Sequence, residues 1–135
     1  MKAGDGWDLR VDSALALIAK TDVNTYIRVI DVVDIIDFWI SPYSSNNISQ
    51  DGNTIYISTG DVKMNSIANL ACVLVHESLH LNYLLHPIEQ TADEEELKCY
   101  IYELSFINKL PTPEPWLQAN AVEQIHKLSK TKKHE

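Results

Sequence analysis

Two histidines four residues apart, with a glutamate directly after the first, interrupt an otherwise aliphatic stretch: His76-Glu77-Ser78-Leu79-His80 within LACVLVHESLHLNYLL. On a helix this spacing stacks the two imidazoles one turn apart on one face, so both can converge on a single metal ion. Glu77 lies about 100° around the helix, near enough to reach a water on that ion without ligating it. Two neutral imidazoles and a carboxylate base are the parts that metal-assisted hydrolysis needs.

A catalytic zinc takes a third protein ligand and keeps one position open. The acidic run TADEEELKCYIYEL begins eleven residues after His80 and opens another helix. Asp93, Glu94, Glu95 and Glu96 are the carboxylates that could swing over the histidines. Cys99, Tyr100 and Leu104 follow Glu96 by three, four and eight residues, which sets Glu96 on the stripe facing the core. Glu96 is therefore the expected third ligand and Glu95 the alternative. Asp93 and Glu94 read as a first-turn cluster suited to the helix dipole. Cys72 and Cys99 read as small buried residues, with a disulfide between them or a thiolate near a metal as the alternative.

The elements that must position these groups follow from periodicity and punctuation. DLRVDSALALIAK predicts a helix over 8–20. From Asp22, an N-cap, Val23, Ile27, Ile30, Val33 or Asp34, and Ile36 fall on a helical track with Asp31, Asp34 and Asp37 on the other side, and the helix is expected to end near Ser41-Pro42. The β-branched content of this segment also fits a strand. NISQDGNTIYIST has the grammar of a hairpin, with Asp51-Gly52 as its turn and a strand at 54–58. The motif helix is expected from Asn65 or Ser66 to about Leu84 or Leu85. The next starts at Thr91 or Asp93, and a last one covers about 116–128 beyond the linker PTPEP, with the tail from about 129 frayed. The fold class expected is α+β: one mostly helical domain, with a small antiparallel sheet ahead of the motif helix.

His76-Glu77-x-x-His80, the glutamate on the following helix and a small residue three positions after it resemble the gluzincin branch of the zincin metallopeptidases. The chain is most similar to the short minigluzincins, and the resemblance covers about residues 50–108. It implies that His76, His80 and Glu96 bind zinc and that Glu77 activates water for peptide hydrolysis. It also implies that a peptide pairs as a strand along an edge strand TIYIS, so Thr54, Ile55, Tyr56 and Ile57 would contact substrate. The Ala that the branch places three residues after its glutamate is Cys99 here. A Tyr or His should steady the tetrahedral intermediate. Tyr83, His86, Tyr100 and Tyr102 are the candidates, and His86, in a loop before Pro87, is favoured.

The rest of the sequence bounds this reading. At 135 residues the chain is sized for a single core. A formal net charge of -8 argues against a phosphate-binding surface, so nucleic acid is not an expected partner. No apolar run is long enough to span a bilayer, and the first residues lack a secretion-signal pattern, so the cytoplasm is the expected compartment and no membrane partner is expected. The expected partner is a peptide or protein substrate, cleaved internally, with a regulatory protein as a further candidate. Two other classes compete: a non-catalytic zinc module, for which the base Glu77 would be superfluous, and a metal-free helical interaction domain, which leaves the histidine spacing unexplained.

Overall fold

The computed structural model describes residues 7–39, 46–48, 54–58 and 66–133. The order of elements is α1 (Asp8–Thr21), α2 (Val23–Val32), β1 (Ile35–Trp39), β2 (Asn47–Ile48), β3 (Thr54–Ser58), α3 (Ile67–Leu85), α4 (Ala92–Lys109) and α5 (Pro115–Lys133). The fold is α+β and mostly helical. Asp22 ends α1 and starts α2: its extended backbone breaks the helix, and its carboxylate accepts from the Asn24 and Thr25 amides. Lys109, at the far end of α4, bonds the second oxygen of Asp22 at 3.0 Å.

The segment expected to be one long helix divides. α2 stops at Val32, and Ile35–Trp39 forms β1. The β-branched run Val32-Val33-Ile35-Ile36 suits a strand, in which Ile36 points inward and Asp37 outward. The face of α2 also differs from expectation. Val23, Ile27 and Ile30 are exposed, while Thr25, Val29 and Val32 are buried. Thr25 can face the core because its hydroxyl pairs with the Tyr102 hydroxyl at 2.7 Å, leaving no unsatisfied polar atom there.

The sheet is mixed rather than purely antiparallel, in the order β1-β3-β2. β1 runs parallel to β3, with Ile36 opposite Ile55. β2 pairs antiparallel through Asn47 with Tyr56 and Ile48 with Ile55. The strand expected at the edge, TIYIS, is therefore central. Thr54, Ile55, Ile57 and Ser58 are buried, as suits a strand covered on both faces. The cause is β1, which occupies the side of β3 that a helical reading of residues 35–39 left free. The Asp51-Gly52 turn lies outside the described residues.

Helix α3 runs through the middle of the domain, packed by α1, α2, α4 and the sheet, and α5 packs on α4. Leu70, Ala71, Leu74, Val75, Ser78 and Leu81 are fully buried in it. Ser66 caps its start by accepting from the Asn69 amide at 3.1 Å, and α4 starts with a capping box between Thr91 and Glu94. α5 reaches Lys133 rather than ending near Leu128, because KLSKTKK holds no helix breaker.

Candidate metal centre

α3 and α4 face each other across the site. His76 and His80 lie one turn apart on α3, with ring centroids 5.0 Å from each other. From α4, Glu96 reaches between them: its Oε1 is 2.6 Å from His76 Nε2 and 3.2 Å from His80 Nε2. A single carboxylate oxygen thus receives both ring nitrogens.

The remaining ring nitrogens are held as firmly. His76 Nδ1 donates to Glu103 Oε1 at 2.9 Å, and His80 Nδ1 donates to Glu95 Oε2 at 2.6 Å. Carboxylates only accept, so these partners fix a proton on each Nδ1 and aim both Nε2 atoms at the same point. Gln90 steadies Glu95 at 3.4 Å and is itself held by Lys98 at 2.7 Å. Of the two glutamates weighed as third ligand, Glu96 sits between the imidazoles and Glu95 behind one of them. Asp93 is exposed, and Glu94 closes the capping box.

Glu103 was not anticipated. It is only 7% exposed and lies seven residues after Glu96, two turns along the same face. The signal was present in the sequence: an acid on the apolar stripe that continues through Phe106 and Leu110 calls for a buried partner.

Electrostatics bind the cluster together. Burial works against the imidazolium of His76, but hydrogen bonds to Glu103 and Glu96 outweigh it and lift its pKa to about 9. Burial opposes His80 likewise, and hydrogen bonding to Cys99, Glu96 and Glu95 raises it to about 11. The hydrogen bonds of both histidines hold Glu96 down at about 2. Glu77 is 8% exposed, and burial pushes its carboxyl up to about 7 against the pull of His76 and His80. That value suits a group that must take and return a proton near neutrality.

Imidazole and carboxylate are donor types that zinc takes. Ligand atoms about 2.1 Å from one tetrahedral ion lie about 3.4 Å apart. The two Nε2–Oε1 separations, 2.6 and 3.2 Å, are shorter than that, as hydrogen bonds make them. Glu96 has a side chain 39% exposed, so the cluster meets solvent on its side. A second donor is also close: the ligand atoms of His76, His80 and Cys99 all lie within 4.8 Å of one another. Both cysteines are free and buried.

The candidates for a proton donor to the intermediate separate. Tyr100 packs edge-on against His76 at 4.5 Å between centroids. Tyr102 bonds Thr25 and lies beneath the Arg28 guanidinium at 4.3 Å, a packing role. Tyr83 sits 5.8 Å under Lys98. His86 is exposed at the C-cap of α3, six residues beyond His80, and enters none of the hydrogen bonds that hold the cluster. Thr54, Ile55, Tyr56 and Ile57 lie on the central strand rather than at an edge. Comparison with family models, curated proteins and solved structures finds no match for the chain.

Proposed function

We propose that the chain is a zinc-dependent peptidase whose metal ligands are His76, His80 and Glu96, with Glu77 as general base. The observation that carries this reading is the meeting of both Nε2 atoms on one Glu96 oxygen, with a buried carboxylate, Glu77, beside them. When bound, zinc would polarise an attacking water and the scissile carbonyl. Glu77 takes the water's proton and hands it to the departing amine nitrogen, a two-way role that a carboxyl near pKa 7 suits. Glu95 and Glu103 keep the imidazoles in the tautomer that presents Nε2. Tyr100 is the phenol favoured to donate to developing negative charge, because it packs edge-on against His76. Two reduced cysteines suit a reducing compartment such as the cytoplasm. Among the described residues, no helix is long and apolar enough to cross a membrane.

A non-catalytic zinc module would need the same three ligands but would gain nothing from burying Glu77 beside them, a placement that costs desolvation. The two readings separate by substitution. Glu77→Gln should bind one zinc per chain with unchanged affinity and lose turnover of an unfolded protein substrate. His76→Ala should lose both. Unchanged turnover in the Glu77→Gln chain would remove Glu77 from the mechanism, and zinc binding with no turnover by either chain would remove the peptidase reading and leave the metal site.

A further inference from the structure

We propose that Cys99 is a fourth zinc ligand, so that in its resting state the site is closed by four protein side chains: His76, His80, Glu96 and Cys99. The inference rests on the metal site proposed above and adds to it the occupant of the coordination position left for water.

Three observations place the sulfur there. The ligand atoms of His76, His80 and Cys99 fall within 4.8 Å of one another. Nitrogen and sulfur donors on one tetrahedral zinc stand about 3.6 Å apart, given bonds of roughly 2.1 and 2.3 Å, so a small side-chain movement brings Cys99 into the sphere. Cys99 also follows Glu96 by three residues, about one helical turn on α4, so both side chains leave the helix from one face. Finally, the residue is wholly buried, so its sulfur faces the interior beside the histidines and not solvent. Thiolate is a favoured zinc donor, and binding of the metal displaces the thiol proton. Cys72 is buried too, yet it is not part of this cluster.

The functional consequence is latency. A zinc with four protein ligands is the structural kind, with no position for water. Hydrolysis then requires the sulfur to leave, and a side chain without a donor at position 99 should leave the site open from the start.

The test is cobalt substitution of the reduced chain, read by absorbance. Cobalt in this site should give visible ligand-field bands at one ion per chain, together with a near-ultraviolet band from thiolate-to-cobalt charge transfer. Cys99→Ser and Cys99→Ala should keep the visible bands and lose the near-ultraviolet one, whereas Cys72→Ala should keep both. Cys99→Ala loaded with zinc should also cleave peptides faster than the wild type. Visible bands without the charge-transfer band in the wild type would overturn the ligand role of Cys99 while leaving the three-ligand site intact. Loss of the near-ultraviolet band in Cys72→Ala instead would overturn it as well. No visible bands at all would defeat the metal reading itself, and this inference with it.

Discussion

Replacing Glu103 by alanine removes the acceptor behind His76 without touching any proposed metal ligand. Glu103 Oε1 stands 2.9 Å from His76 Nδ1, and both side chains are less than one-tenth exposed. A hydrogen bond to a charged partner contributes about 1.5–3 kcal/mol, and water cannot readily replace this one. At about 1.4 kcal/mol per factor of ten, zinc affinity should fall roughly 10- to 100-fold, the range found for partners that orient metal-bound histidines. Glu103→Gln keeps an acceptor oxygen but loses the charge, so its loss should be smaller. The assay is competition for zinc against a chromogenic chelator at neutral pH, with far-UV circular dichroism confirming the fold. Glu89→Gln, in the exposed loop before α4, is the control and should leave affinity unchanged. Wild-type affinity in the Glu103→Ala chain would refute the idea that this carboxylate orients the ligand.

Without metal, stability should depend on pH with a definite sign. His76 and His80 are raised to about 9 and 11, so their contribution is complete below about pH 6.5 and fades as pH rises through those values. Glu77, raised to about 7, acts in the same direction from about pH 4.5 upward, whereas Glu96, lowered to about 2, loses its contribution only as pH falls toward that value. Thermal melts in a chelator should therefore show Tm falling between pH 6 and 9, and a flat or rising Tm over that window would contradict the charged cluster. Zinc should reverse the trend, because ligation needs both imidazoles neutral; calorimetry in buffers of different ionisation enthalpy should detect protons released on binding at neutral pH. Thr91→Ala removes one half of the capping box on α4 and should cost about 1 kcal/mol, or ~4 °C in Tm, by denaturation. A change within error would mean that the start of α4 is held by its packing alone.

The helix that carries His76, Glu77 and His80 is the most legible part of the chain, because a motif with fixed spacing on a continuous apolar background leaves little choice of structure. Glu96 could be singled out from four neighbouring acids since helical periodicity, extended through Cys99 and Leu104, orients the whole of α4. Three other features depended on tertiary context. The division of residues 23–39 into α2 and β1 turns on β-branched residues, which tolerate either state until a neighbouring strand recruits them. The outward turn of Val23, Ile27 and Ile30 depends on Thr25 finding the Tyr102 hydroxyl, a partner seventy-seven positions away. The central place of TIYIS follows from β1 in turn, since sequence alone does not reveal how many strands a short strand will have on each side. Glu103 stood in plain view on an apolar stripe, but only the facing helix shows which buried group it serves.

Peptide hydrolysis itself is tested most directly by finding new termini. The zinc-loaded chain, in both its wild-type and Cys99→Ala forms so that a closed site does not mask turnover, is incubated with a broad library of unfolded peptides and analysed by mass spectrometry. The same two chains carrying Glu77→Gln and an equal amount of zinc serve as the comparison. The account predicts internal cleavages from the Glu77 chains, more from Cys99→Ala, and none from the Glu77→Gln chains. Zinc bound at one ion per chain with no new termini in any of the four, or equal cleavage with and without Glu77, would contradict it.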